Sequence, residues 1–364
     1  MQDKTIDAKL LKTKPHFEIL NGMRGLAALV IVVFHFMEII IHDFNELFIA
    51  HGFLAVDFFF VLSGFVISYA YDNRIADMKL KTFIKLRLIR LHPLVVVGSI
   101  LGLLTFLFDP YVNLYSVYGF GETVMLFLTS LFMIPYPVVA ERYFNLFNFN
   151  APSWSLFWIY VANLVYALGL FKASKKVLTT LAIIGAAALF YIGAQYENLL
   201  GGWNDATFLH GFARIGFSFS IGMLVQRSGW IIKNKLGLLG MCGLLLLTFL
   251  VPYNDQWSGI VEPIIVVFVF PLLVSMGAGA SLSSKHYKIN KFSGDIAYPL
   301  FMTHYPFMWT FANYVVAEEP TTTTLAWLIP VLTVLLVALA YVVSEAIDRP
   351  IRRRLRTALN KKAR

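Results

Sequence analysis

Eleven apolar runs, separated by short polar or basic stretches, make up nearly all of the chain. They cover about residues 20–41, 52–71, 93–108, 121–134, 153–171, 177–194, 207–225, 236–251, 263–280, 296–316 and 325–346. Most approach the ~20 residues that a helix needs to cross the hydrocarbon of a bilayer. They are continuous rather than alternating, which points to helices and away from a barrel of strands. The run at 121–134 is the shortest and stands in a stretch rich in Tyr, Pro and Asn, so a re-entrant or interfacial segment is expected there. With that run set aside, the basic clusters all fall on one side of the membrane. They are Lys4 to Lys14, Arg74 to Arg90, Lys172 to Lys176, Arg227 to Lys235, Lys285 to Lys291 and Arg349 to Arg364. The positive-inside bias makes that side cytoplasmic. The expected fold is all-α: a polytopic transmembrane helical bundle of about ten spans with both termini cytoplasmic. A cytoplasmic N-terminal segment (1–18), a transmembrane domain (19–348) and a basic cytoplasmic tail (349–364) follow from it.

Composition agrees. The chain is 58% hydrophobic and 14% charged, against about 25% charge in an ordinary soluble domain. Its net charge of +9 lies in short loops between spans, so topology accounts for it and no nucleic-acid partner is implied. The expected surroundings are a lipid bilayer. The single cysteine, Cys242, can form no internal disulfide and no Cys-based metal site. No cleavable signal peptide is visible. No His-Glu-x-x-His spacing occurs, so no metal is expected, and neither a Gly-x-Ser-x-Gly elbow nor a phosphate loop of the Walker or dinucleotide type is present.

Only three basic residues lie outside the clusters: Arg142 in an expected external loop, and Arg24 and Arg214 within spans. Ionisable groups at such depth are expensive and usually functional. Arg24 and His35 are eleven residues apart, about three helical turns, so both fall on one face, ~16 Å apart along the axis. Asp57, entering the second span from outside, should reach a similar depth to His35, and a carboxylate behind an imidazole makes a plausible general base. Asp57 could equally cap or hydrogen-bond within the bundle. Ser63-Gly64 further along permits close helix approach. Arg87 and Arg90, three apart, share a helix face near the cytoplasmic side, where paired guanidiniums suit phosphate; anionic lipid or topology is the simpler reading of any basic loop. Trp154 and Ser155 open another span at its outer end. Arg214 needs a partner, with Asp57 and Asp295 as the candidates. His304 stands at mid-depth as a second base or an acceptor contact. Buried Arg, His and Asp would also serve a proton-coupled transporter or flippase.

Taken in order, these motifs resemble the acyltransferase-3 family of integral-membrane acyltransferases, over about residues 17–355. The family's Arg and His, ten residues between them in the first span, are matched by Arg24 and His35. The VDFFFVLSGFVIS run with Asp57, Arg87, Arg90 and Pro93 of an R-x-x-R-x-x-P element, PSWSL at 152–156, the Arg214 segment, YPLFMTHYP at 298–306 and E-x-x-x-R-P at 345–350 also fit. The family usually carries a Glu soon after WSL, expected near position 159; here Ile159 stands there, and no site residue is assigned at that place. The resemblance implies a multi-pass protein of the inner (cytoplasmic) membrane, with residues 19–348 as its acyltransferase domain. It would be an O-acetyltransferase moving an acyl group from acetyl-CoA, or another acyl-CoA, to a hydroxyl of a carbohydrate acceptor such as a cell-surface polysaccharide. Arg24, Arg87 and Arg90 would meet the CoA phosphates. His35, backed by Asp57, would take the proton from the acceptor, or else carry the acyl group itself. Ser63, Trp154, Ser155, Arg214 and His304 would bind substrate or hold the site together.

Overall fold

The computed structural model describes residues 17–362, the last three without side chains. Lys4, Lys9, Lys12, Lys14 and Arg364 of the basic termini lie outside the described residues, as do the side chains of Lys361 and Lys362. The described chain is helical throughout, with two isolated bridges in loops. We number the helices α1 Glu18–Ile40, α2 Ala55–Tyr71, α3 Leu80–Leu107, α4 Leu114–Leu131, α5 Ser153–Leu168, α6 Lys175–Tyr196, α7 Phe208–Ser228, α8 Gly237–Phe249, α9 Ser258–Gly279, α10 Tyr287–Thr303, α11 Tyr305–Glu318, α12 Thr322–Val343 and α13 Arg349–Lys362. Among the described residues seven helical stretches are long and apolar enough to cross a bilayer; α5 and α8 are shorter apolar helices. The protein is a polytopic helical membrane protein. Its outward surface carries large apolar side chains such as Leu239, Leu247, Phe268 and Val334, as lipid-facing helices should.

Three features differ from the expected runs. Helix α3 begins thirteen residues before Pro93 and passes through it, so the helix extends well ahead of the apolar run at 93–108 and carries Arg87 and Arg90 within it, as their spacing predicts. The apolar stretch at 296–316 is two helices that part at His304, where Pro306 at the start of α11 lacks the amide hydrogen a continuing helix would need. The segment around 121–134 belongs to α4, which kinks at Gly119, a glycine at φ 68°. At the end of the chain, α12 runs through a π-helical turn, Ser344–Asp348, directly into α13.

Two close seams order the core, both built on glycine, as membrane helices with no hydrophobic force between them require. In the first, α2 lies on α7: a side chain at Gly64 would strike the carbonyl of Phe219, and one at Gly222 the carbonyl of Val61. Ion pairs close this seam at both ends, Asp57 with Arg214 and Asp72 with Arg227. In the second, α1 lies on α10. Gly25 abuts Ser293, and Gly294 abuts Asn21. Asn290 Nδ2 donates to Glu18 O at 3.0 Å, Ser293 Oγ to Gly22 O at 3.1 Å, and Arg24 Nη2 to Gly294 O at 2.7 Å.

Candidate active site

The second seam leads to the histidines. His35 near the end of α1 and His304 at the α10–α11 break stack with ring centroids 5.4 Å apart and planes 19° from parallel. Nδ1 of His35 lies 2.5 Å from Oε1 of Glu38, one turn further on the same helix face. A carboxylate at Nδ1 keeps the proton there and leaves Nε2 as the basic nitrogen. Nδ1 of His304 faces the carbonyl of Leu300 at 2.9 Å; a carbonyl only accepts, so this ring too presents a bare Nε2. That atom is buried with no hydrogen-bond partner among the described residues. Tyr305 closes the group edge-on to His35 at 4.7 Å and to Trp309 at 5.2 Å.

The loop between α4 and α5 reaches the same place. Asn150 Nδ2 donates to Met302 O at 2.9 Å, two residues before His304. Oδ1 of Asn150, Oδ1 of Asn148 and Nε1 of Trp309 are buried without partners. Native interiors satisfy nearly all such atoms, by ordered water or a ligand where the protein does not, so the loop and the helix break together offer polar atoms free to bind one or the other. Arg142 from this loop is 2% exposed, and burial pushes its guanidinium down to about 10.

Asp57 is not part of this group. Its two oxygens take Arg214 Nη2 at 2.6 Å and Nε at 3.0 Å, both residues essentially fully buried. The expected His35–Asp57 pairing is therefore corrected: the carboxylate behind His35 is Glu38, because Asp57 is committed to a guanidinium. Arg214 also donates to Gly201 O at 2.8 Å and lies over the Trp154 ring at 5.0 Å. Asp295, the other candidate partner for Arg214, instead pairs with Arg349 at 2.5 Å. Ser155 Oγ turns back to Pro152 O at 2.9 Å within its own helix start, and Ser63 is half-buried beside the Gly64 contact. Ile159 packs against the core, and its carbonyl accepts Asn163 Nδ2 at 2.7 Å. A second buried histidine pair, missed in the sequence, joins His51 Nδ1 to Glu262 Oε1 at 3.1 Å. Glu262 also takes the amide of Leu199 at 2.5 Å and so ties down the loop that Arg214 holds from the other side.

At the opposite, basic end the predicted arginines do converge. Arg90 feels the charges of Arg87, Arg24 and Arg352. Arg352, from α13, was not singled out by the sequence; it pairs with Asp348. Nε of Arg24 and Nε of Arg87 are buried and unpartnered, and the tyrosines Tyr71, Tyr160 and Tyr298 surround Arg87. Such a cluster suits a polyanion. An open groove of about 610 Å³ runs along α13, lined by Arg349, Arg353 and Arg354 among others.

The acyltransferase-3 family model, described as an acyltransferase domain, matches residues 17–345. A Rhizobium radiobacter protein called "Protein 2 in picA locus" is 33% identical over 193 residues, 50% of this chain and 96% of that relative. No solved structure matches.

Proposed function

Since the chain belongs to the acyltransferase-3 family and is a membrane acyltransferase, we propose that it transfers an acyl group, acetyl in the first instance, from acyl-CoA to a hydroxyl of a carbohydrate acceptor. The setting is the inner membrane and the product an O-acylated surface glycan. The observation that carries this reading is the Glu38–His35–His304 group with its bare imidazole nitrogen. His35 Nε2 takes the proton of the acceptor hydroxyl as its oxygen attacks the thioester carbonyl. The C–S bond then breaks, and the CoA thiolate leaves with the proton that the His35 imidazolium gives back. Glu38 holds the imidazole in the useful tautomer and balances the imidazolium that forms. Arg24, Arg87 and Arg90 bind the phosphates of the donor at the basic end, from which its thin pantetheine arm enters the bundle. Asp57 and Arg214 hold α2 against α7 and take no part in proton transfer.

The test is release of free thiol from acetyl-CoA by purified protein in detergent, with and without candidate glycans, for the wild type and His35→Ala. Release that depends on acceptor and is lost in His35→Ala supports direct transfer. Release without acceptor, leaving labelled acetyl on the wild type only, makes His35 an acyl carrier. Unchanged activity in His35→Ala overturns the mechanism, and failure to bind acetyl-CoA at all would favour a transporter.

A further inference from the structure

Arg142 is a buried cation without an ion-pair partner among the described residues. Its Cζ lies 5.1 Å from the ring centres of both Phe106 and Trp309, so two aromatic rings flank it. One of its N–H groups, on Nη1, donates to Asn148 O. No carboxylate of the described residues forms an ion pair with it. The acids nearest in influence, Asp109 and Glu141, are engaged elsewhere. Asp109 takes Asn313 Nδ2 and the amides of Tyr111 and Val112; Glu141 takes the Tyr118 hydroxyl at 2.6 Å. A guanidinium offers five N–H donors in a fixed fork, and a charge out of water is costly unless paired. Cation–π contacts offset part of that cost; they do not use the fork.

The groups around Arg142 set the chemistry of a ligand that would suit it. Trp309 supplies a further donor, its unpartnered Nε1, from the ring that flanks the guanidinium. The unpartnered oxygens of Asn148 and Asn150 in the same loop await hydroxyl donors. Planar donors beside hydroxyl acceptors fit a sugar that bears a carboxylate. Three successive ring contacts, Arg142 to Trp309, Trp309 to Tyr305 and Tyr305 to His35, join this place to the candidate base.

We propose that Arg142, with Trp309, Asn148 and Asn150, is the recognition site for the carboxylate of an acidic sugar, so that the acceptor is a uronic-acid-containing glycan. This rests on the acyl-transfer reading for the word acceptor, and on the geometry alone for the binding site. Arg142 is a specificity residue: it grips the acid group while a neighbouring hydroxyl is offered to His35.

The experiment measures binding with no donor present. Purified protein is titrated with cellobiuronic acid and with cellobiose, which differ only in a carboxylate in place of one hydroxymethyl group, for wild type, Arg142→Gln and Arg142→Lys, and thermal unfolding of each variant confirms its fold. The wild type should bind the acidic disaccharide at least 10-fold more tightly. Arg142→Gln should lose that preference and Arg142→Lys keep part of it. Equal binding of the two sugars by the wild type, or binding of neither, overturns the proposal, as does a preference that survives in folded Arg142→Gln. Acyl transfer to either sugar in that case leaves the acyl-transfer reading standing. A carboxylate preference without thiol release from acetyl-CoA would uphold the site and remove the transferase mechanism.

Discussion

Oε1 of Glu38 lies 2.5 Å from Nδ1 of His35, three residues earlier on the same helix. The pairing is local to α1, so it persists wherever α1 is helical, and it reserves Nε2 for chemistry. Glu38→Gln should therefore keep the fold and lower acceptor-dependent thiol release by about 10–100-fold. His35→Ala should cost ~10²–10⁴-fold, the usual worth of a positioned general base. Steady-state kinetics of both variants with acetyl-CoA checks the order; a Glu38→Gln enzyme as fast as the wild type would remove the carboxylate from the mechanism.

Asp57 and Arg214 predict a different signature. Removing one member of a buried, bidentate pair leaves an uncompensated charge, at about 3–5 kcal/mol. Asp57→Asn and Arg214→Met should each lower the unfolding midpoint in detergent markedly, and the double variant Asp57→Leu with Arg214→Met should recover much of the loss. Additive damage in the double variant would show that the two residues do not act as a pair.

The arginines at the basic end should govern the donor. Arg87→Ala removes charge-assisted contacts worth roughly 1.5–3 kcal/mol each. The affinity for acetyl-CoA should then fall ~10–100-fold while acceptor binding is unchanged. Equilibrium binding of the donor at two salt concentrations would show it, the wild type being the more salt-sensitive.

Much of this arrangement was legible beforehand and the remainder was not, for identifiable reasons. The Arg24–His35 spacing, the Arg87–Arg90 face and the Gly64 approach are set within single helices, where a period of 3.6 carries the information. A buried guanidinium must find a carboxylate, which narrows the partner of Arg214 to Asp57 or Asp295 and does not choose between them. Glu38 was open to the same reasoning, at i,i+3 from His35, but the depth match with Asp57 drew the assignment instead. The stack of His35 on His304 is tertiary and hidden from the sequence. Its one local sign was a pair of prolines, Pro299 and Pro306, flanking the histidine in a run read as a single span. The orphan atoms of Asn148, Asn150 and Trp309 could not be found at all without coordinates, since being unpartnered is a property of the packed state.

Gly64 offers a stability test free of charge effects. Because its α-carbon faces the Phe219 carbonyl directly, Gly64→Val must push α2 from α7. A loss of about 1–3 kcal/mol is expected from such overpacking. Gly121, where an added Cβ would meet nothing within 4 Å, is the control: Gly121→Ala should leave the unfolding midpoint unchanged or slightly raised.

The α1–α10 seam has a consequence at its far end. Gly25 meets Ser293; His35 is ten residues beyond the one and His304 eleven beyond the other, roughly 15 and 16 Å of helix. The two imidazoles face each other because they are measured off from a common datum by nearly equal rods. Inserting one residue between Gly25 and His35 would keep every existing residue of the helix, yet swing His35 and all of α1 beyond the insertion through about 100° and advance them ~1.5 Å. The chemistry at one end of the bundle is thus indexed by a contact at the other, and a change of chain length there would undo the site without altering a single residue in it.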